Sequence, residues 1–348
     1  MGSQNSSVDL RRVGVHAWSW FTLASTFLLL CSGGIVTSKG VGMSVPDWPT
    51  TYGYNMFLFP ISGWVGGIFY EHAHRLIASG VGLLTMILAA WLLAAEPRRW
   101  VKNLGVIAFV AVCVQGLLGG LRVSLFKDEI GIFHAMLAQS FFCLLGIITI
   151  VTSPRFVRGG WDVFIPDPIL KKLTILSTVL IFVQLALGAT MRHEHAGLAI
   201  PDFPLAYGEI LPNTSPQALE AINTKRLAED LVPTSAVQIW IQMAHRGVAV
   251  VIFLAVAAVA IRSLRNLVAR RASLWSCIWL LMIFCQVLLG AWTIWSNKAA
   301  DVATIHMALG ALSLFLGVIF SFRLYRGIQA GRFRVPDTQP QREFSSVA

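Results

Sequence analysis

The residues best suited to chemistry lie at positions 71–75, where Glu71, His72, His74 and Arg75 precede a long apolar run. On a helix, Glu71 and His74 are three residues apart and share a face, whereas His72 points elsewhere. Ionisable groups at the mouth of a membrane helix are costly, so their presence indicates a function. The sequence therefore predicts a carboxylate and an imidazole that face one cavity.

This stretch has a second copy further along the chain. The segment 46–53, which reads Pro-Asp-Trp-Pro-Thr-Thr-Tyr-Gly, returns at 201–208 as Pro-Asp-Phe-Pro-Leu-Ala-Tyr-Gly. Three further matches follow in the same order: His74-Arg75 with His245-Arg246, Gln115 to Gly119 with Gln286 to Gly290, and His134 with His306. Matches that keep their order indicate an internal duplication.

The composition places these residues in a membrane protein. Of 348 residues, 56% are hydrophobic and 13% are charged, whereas soluble domains carry about 25% charged residues. Eight apolar runs approach the ~20 residues that a spanning helix needs. The runs are 13–36, 67–95, 104–123, 131–152, 170–191, 236–261, 273–295 and 303–325. We therefore predict an all-α polytopic membrane protein with eight transmembrane helices in two pseudo-symmetric four-helix bundles.

Basic residues fall in alternate loops, which predicts the orientation. Arginines and lysines cluster before the first run, after every second run, and in the tail, and this side should be cytoplasmic. The net charge of +10 then reflects membrane topology and not nucleic-acid binding. Both termini are predicted to be cytoplasmic, with long outer loops at about 37–66 and 192–235. A short amphipathic helix is predicted within 216–231.

Four domain segments follow from the repeat. The N-terminal four-helix half covers 13–152, a cytoplasmic linker covers 153–169, the C-terminal half covers 170–325, and a cytoplasmic tail covers 326–348. Four is an even number of spans, so the two copies should have the same orientation in the bilayer.

The repeated histidines open the second, fourth, sixth and eighth spans. Each half thus offers two imidazoles at one depth, which is suitable geometry for an iron porphyrin held between facing histidines. Gly119, Gly120 and Gly290 either let helices approach closely or make room for a flat ligand. Arg75 and Arg246 either pair with porphyrin carboxylates or extend to lipid headgroups.

The two halves differ at one ionisable position. Glu71 precedes His74 by three residues, but Gln242 occupies the matching place before His245. A carboxylate can accept a proton or stabilise positive charge, and an amide cannot titrate. We interpret the N-terminal site as the one that does chemistry and the C-terminal site as the holder of a permanent redox haem. All four ligands at one face disfavour electron conduction across the bilayer.

The other candidate residues have less specific interpretations. We interpret His16, His72, His193 and His195 as surface or interfacial histidines, with His193 or His195 at the rim of the second haem. Asp47 and Asp202, in the repeated segments, suggest turn formation. The five cysteines all lie in apolar runs and are typical of small buried residues: Cys31, Cys113, Cys143, Cys277 and Cys285.

The eight-span repeat, the Glu-x-x-His-Arg stretch and the four histidines together resemble the haem A synthase family over about residues 13–325. That family oxidises the C8 methyl group of haem O to a formyl group by successive hydroxylations. The resemblance implies that His74 and His134 are axial ligands of the haem O iron, and that His245 and His306 ligate the iron of a haem b cofactor. It also implies that Glu71 is catalytic. From the difference between Glu71 and Gln242 we expect Glu71 to position or deprotonate a water that adds to the oxidised methyl carbon. A cysteine pair found in the outer loops of one subgroup is missing.

The resemblance also implies partners and a location. Haem O, haem A and the lipid bilayer are the expected ligands and surroundings. A farnesyltransferase that makes haem O and an electron-transfer protein are the expected partners, and a homo-oligomer is compatible with the sequence. The expected location is the inner (plasma) membrane, with the haem sites near the outer face. A dihaem cytochrome b and a haem carrier are the alternatives.

Overall fold

The computed structural model describes residues 2–158, 167–265 and 270–332. Eight helices in this part of the chain are long and apolar enough to cross a membrane, which confirms the predicted fold class. They are α1 (Gly2–Ser38), α2 (Gly66–Ala95), α3 (Arg99–Ser124), α4 (Asp128–Thr152), α6 (Pro168–His193), α8 (Ala236–Arg265), α9 (Arg270–Trp295) and α10 (Ala300–Arg332). The chain is thus a multi-pass membrane protein.

The described connecting segments contain two short α-helices, α5 (Pro154–Val157) and α7 (Pro216–Ala228), three 3₁₀-helices (Met56–Leu58, Ile61–Gly63 and Ala196–Leu198) and one small hairpin. Strands β1 (Thr50–Thr51) and β2 (Tyr54–Asn55) of the hairpin pair antiparallel. The helix predicted within 216–231 is confirmed as α7. The linker residues 159–166, the loop 266–269 and the tail 333–348, to which the sequence assigns cytoplasmic positions, lie outside the described residues.

The helix ends follow local chemistry. Asp167 caps α6, because its Oδ1 accepts hydrogen bonds from the backbone N–H groups of Ile169 and Leu170, and Pro168 occupies the first helical position. Asp128 and Glu129 lie in the first turn of α4, where a negative charge complements the helix dipole. These polar ends extend the spans a few residues beyond the apolar runs.

Helices α4 and α10 form the centre of the bundle. About half of the apolar window of each is buried, whereas α3, α6 and α9 turn most of their surface outward. Because α4 contacts both α6 and α10, it joins the N-terminal four spans to the C-terminal four. At this junction the rings of Phe142 and Phe315 lie 5.0 Å apart, and Gly146 leaves room for the Phe315 ring.

Gly146→Leu should destabilise the protein, because its side chain would enter the space that the Phe315 ring fills. Overpacking of this kind costs about 1–3 kcal/mol. The measurement is the unfolding temperature of the solubilised protein. Gly80→Leu is the matched control, since nothing lies within 4 Å of a Cβ atom there. Equal unfolding temperatures for the two variants would contradict this packing.

Candidate functional site

The four repeated histidines lie at one end of the bundle, which we call the histidine end. Each lies within about the first ten residues of α2, α4, α8 or α10, that is, within ~15 Å of the helix start. His74 and His134 are close enough for a charge on one ring to act on the other, and His245 and His306 are close in the same way. The structure therefore brings the histidines together in the predicted pairs.

A glycine on a neighbouring helix faces each histidine ring. A methyl group added at Gly33, Gly119, Gly188 or Gly290 would lie 3.1–3.3 Å from the Cε1 atom of His74, His134, His245 or His306, respectively. That distance is shorter than ordinary van der Waals contact. The glycines thus leave space for the imidazoles. Gly33 and Gly188 were not among the glycines predicted from the sequence.

Three of the four histidines also contact a glutamine, a different one in each case. The side-chain amides of Gln115, Gln184 and Gln286 donate hydrogen bonds to the backbone carbonyls of His134, His245 and His306 at 2.8–2.9 Å. Each glutamine precedes its glycine by four residues, so one face of each helix holds both contacts. The exception is His74: Leu29 takes the glutamine position, and the Ser32 Oγ lies 3.2 Å from the His74 Nδ1.

Glu71 and Gln242 make the same contact with the repeated outer loops. The Glu71 Oε2 accepts a hydrogen bond from the Val45 N–H at 2.8 Å, and the Gln242 Oε1 accepts one from the Ile200 N–H at 2.7 Å. Both side chains are buried. The other Glu71 oxygen pairs with Arg75 at 2.6 Å. Loop anchoring is therefore common to both residues, whereas the negative charge and the ion pair with Arg75 are particular to Glu71. Gln242 instead donates a hydrogen bond from its amide to the Ile200 carbonyl at 3.2 Å.

Arg75 and Arg246 also bind the loops. Arg75 donates to the carbonyls of Val45, Asp47 and Thr50 at 2.7–3.1 Å. Arg246 donates to the carbonyls of Leu205 and Asp202 at 2.9 and 2.7 Å, and its buried Nε has no partner among the described residues. Pairing of these arginines with porphyrin carboxylates stays a prediction.

Asp47 and Asp202 hold the two repeated turns, as the sequence suggests. The Asp47 carboxylate accepts hydrogen bonds from the Tyr52 and Gly53 N–H groups, and Asp202 accepts them from Tyr207 and Gly208 at 2.8 and 2.9 Å. Burial raises the pKa of Asp47, but these hydrogen bonds and one from Thr50 outweigh burial and lower its pKa overall. Gly53 and Gly208 have φ values of 77° and 83°, which glycine adopts without strain.

The surface interpretation was wrong for His72. His72 is 1% exposed and lies between the rings of Phe59 and Trp64, with its Nδ1 3.2 Å from the Thr51 Oγ1. Its helix face is turned toward the aromatic residues of the outer loop, which the position beside Glu71 did not reveal. His195 is exposed, and the half-buried His16 lies with its Nδ1 3.0 Å from the Thr149 carbonyl.

His193 lies beside the N-terminal histidine pair, and its position at the rim of the second haem stays a prediction. It is half-buried, its Nδ1 lies 3.7 Å from the Asp128 Oδ1, and it packs against Gly131 of α4. The reason is that α6 contacts α4, so the end of α6 reaches the first histidine pair.

The donor set fits a porphyrin better than a bare metal ion. No group of three or more His, Cys, Asp or Glu side chains within the described ranges could hold a metal ion. Two imidazoles per site suffice when the ligand supplies four further nitrogens, as a porphyrin does. The Nδ1 atoms of His134, His245 and His306 are buried without a partner among the described residues. Because the histidines lie in two pairs, each pair could supply the two axial ligands of one haem. The five cysteines are free thiols.

Comparison with known proteins gives a family and several relatives. Residues 16–318 match the model of the family COX15-CtaA, described as cytochrome oxidase assembly protein. The heme A synthase of Exiguobacterium sibiricum is 27% identical over 329 residues, which cover 92% of this chain and 97% of that protein. The heme A synthase of Lysinibacillus sphaericus is 26% identical over 312 residues, covering 86% and 92%.

Gly119→Val should lower the haem content of the purified protein, because its side chain would enter the space of the His134 ring. Gly116→Val is the matched control on the same helix, since nothing lies within 4 Å of a Cβ atom there. The measurement is haem per polypeptide from the pyridine haemochrome spectrum. Equal haem content in the two variants would show that Gly119 does not shape the site.

Proposed function

The chain belongs to the COX15-CtaA family of cytochrome oxidase assembly proteins, and from this premise we propose how it works as a haem A synthase. The enzyme converts haem O to haem A by oxidising the C8 methyl group to a formyl group. The observation that carries the assignment is the pairing of four histidines at one end of the bundle, together with the family match. Neither a dihaem cytochrome b nor a haem carrier is favoured by these findings.

The two histidine pairs take different haems in this proposal. His74 and His134, in the N-terminal half (13–152), hold the haem O substrate, because Glu71 lies on the same helix three residues before His74. His245 and His306, in the C-terminal half (170–325), hold haem b, where the neutral Gln242 replaces the carboxylate. Bound haem b supplies one-electron transfer. The protein's own contribution is to orient both rings through the glycine-facing imidazoles.

The reaction must release electrons and protons. Conversion of a methyl group and one water to a formyl group leaves four protons and four electrons, so an electron acceptor is required. The proposed steps are two hydroxylations and loss of water from the resulting gem-diol. In each hydroxylation a C–H bond breaks, a C–O bond forms with water, and two electrons leave. A group that accepts the water's proton beside the methyl carbon would accelerate these steps.

Glu71 is the proposed acceptor of that proton. Its carboxylate is 3% exposed and carries the negative charge that Gln242 lacks. Since Gln242 binds the loop N–H equally well, loop anchoring alone does not require an acid at position 71. The carboxylate is paired with Arg75, so Arg75 fixes its position.

The orientation and surroundings complete the proposal. The basic loops lie on the side opposite to the histidine end, and the positive-inside rule makes that side cytoplasmic. Both termini are then cytoplasmic, and both haems lie near the outer face of the plasma membrane. A haem O synthase and an electron-transfer protein are the proposed partners.

Feeding haem O to membranes that contain the protein tests the proposed function. Extracted haem should contain a formyl group, which shifts the pyridine haemochrome band, and should do so only when the protein is present. Unmodified haem that moves to another protein would indicate a carrier. Quinol-dependent reduction with unmodified haem would indicate a cytochrome b.

Glu71→Gln should keep both haems bound and lose most haem A formation, by roughly 100-fold if general base catalysis is the missing contribution. The glutamine can keep the Val45 N–H contact, as Gln242 keeps its own. The measurements are haem content, unfolding temperature and haem A formed per bound haem O.

Gln242→Glu is the reciprocal control and should leave the rate of haem A formation nearly unchanged. If Glu71→Gln forms haem A at the normal rate with haem bound, Glu71 is only a loop anchor. A parallel loss of haem content and stability would also assign the residue to the loop.

A further inference from the structure

Two further cations, Arg122 and Arg192, lie near the histidine pairs in addition to the arginines that follow the histidines in the sequence. Arg122 lies on α3 three residues after Gly119, and Arg192 lies on α6 four residues after Gly188. Both glycines face histidine rings, and residues three or four apart share a helix face. Each guanidinium therefore lies about one helical turn beyond a histidine-facing glycine, toward the histidine end.

Arg122 has an unused donor close to the N-terminal pair. A methyl group added at Gly131, three residues before His134, would lie 3.1 Å from the Arg122 Nε. That Nε is buried without a partner among the described residues, while Nη2 donates to the Asp128 Oδ1 at 3.0 Å. The positive charge of Arg122 acts on both His74 and His134.

Arg192 lies in a similar place in the C-terminal half. Its Nη2 donates to the Ser38 Oγ at 2.7 Å, and its charge acts on His306 and on Lys298. Burial, and then the charge of Arg192, lower the pKa of Lys298. Within the described part of the chain, no carboxylate lies at ion-pair distance from Arg192 or Lys298. Two partly buried cations without an acid are costly, so an anionic ligand would stabilise them.

The arginines next to the histidines are already engaged. Arg75 binds three loop carbonyls and Glu71, and both Nη atoms of Arg246 bind loop carbonyls. The Nη contacts of Arg75 and Arg246 hold the outer loops, although the buried Arg246 Nε also has no partner among the described residues. Arg122 and Arg192 differ because they lie on the helices whose glycines face the histidine rings. The internal repeat does not indicate these two arginines. The position that matches Arg122 holds Thr293, and the position that matches Arg192 holds Thr37.

We propose that Arg122 binds a propionate of the haem O substrate, and that Arg192 with Lys298 binds the propionates of the second haem. The inference rests on the proposed function, since it assumes one porphyrin per histidine pair. A porphyrin carries two carboxylates on one edge, and a guanidinium binds a carboxylate through two parallel hydrogen bonds. The two edges would then both point toward the histidine end.

The N-terminal assignment is tested by binding haem O and its dimethyl ester, in which both carboxylates are blocked. With solubilised protein that retains its second haem, difference spectra in the Soret region give the Kd of each. Wild-type protein should prefer haem O over the ester by roughly tenfold or more, the size of one charge-assisted hydrogen bond. Arg122→Gln should bind the two alike, and Arg122→Lys should restore part of the preference.

Arg99→Gln is the matched control, because it removes the same charge from the exposed opposite end of α3. It should keep the wild-type preference for haem O. An Arg122→Gln variant that still prefers haem O as strongly as the wild type would overturn the N-terminal assignment.

The C-terminal assignment is tested by the midpoint potential of the second haem. Arg192→Gln should lower that potential relative to the wild type, because loss of a nearby cation favours the ferric form, and should leave haem O binding unchanged. If Arg192→Gln retains no haem, the Arg192→Lys variant replaces it in the test. Haem binding restored by lysine supports the role of the positive charge at position 192. Absence of haem from both variants overturns the assignment. An unchanged potential with haem retained also overturns the assignment.

These binding measurements do not depend on turnover. A wild-type protein that prefers haem O over its ester but yields no haem A would refute the proposed function. The same result would still support the proposed binding of the haem carboxylates by the arginines. A protein that forms haem A without any preference for the free acid would refute only the carboxylate site.

Discussion

The structure depends on fitting four imidazoles into tightly packed membrane helices at one depth. An imidazole needs space on the neighbouring helix, and each of the four has a glycine opposite its ring, where even a methyl group would be closer than van der Waals contact. Three of the four also have a glutamine amide that binds the histidine carbonyl. The positions of the imidazole rings are thus set by the helices that carry these glycines, α1, α3, α6 and α9, whereas the histidines lie on the other four spanning helices. The two proposed haem sites need this arrangement twice, and the chain obtains it by repeating one four-helix unit.

The outer loops follow the same duplicated plan. Asp47 and Asp202 hold equivalent turns, Glu71 and Gln242 bind equivalent backbone N–H groups, and Arg75 and Arg246 bind equivalent carbonyls. The differences between the copies are therefore informative. The N-terminal copy has an acid at position 71, a serine beside His74 and a buried His72 against aromatic loop residues. In the C-terminal copy the matching positions hold Gln242, Leu187 and Met243, none of which is ionisable. This difference is the basis for the proposal that the C-terminal site holds the haem that only transfers electrons.

Much of this could be predicted from the sequence, because apolar length fixes the spans and the repeat identifies the histidine pairs. The glutamine-to-glycine spacing at 115–119 and 286–290 also occurs at 184–188, and that signal could have revealed Gly188. Gly33 had no such signal, since Leu29 takes the glutamine position. The burial of His72 and the position of His193 depend on how an outer loop folds and how α6 meets α4. Neither follows from helical periodicity, which describes one helix at a time.

We propose that His74 pairs with His134 and that His245 pairs with His306, each pair on a separate haem. Low-temperature electron paramagnetic resonance of the oxidised protein, loaded with haem O and haem b, tests it most directly. Two low-spin bis-imidazole signals are expected. Alanine at His74 or His134 should remove one of them, and alanine at His245 or His306 the other. Loss of the same signal from His74→Ala and His245→Ala, or a single signal in the wild type, would contradict the account.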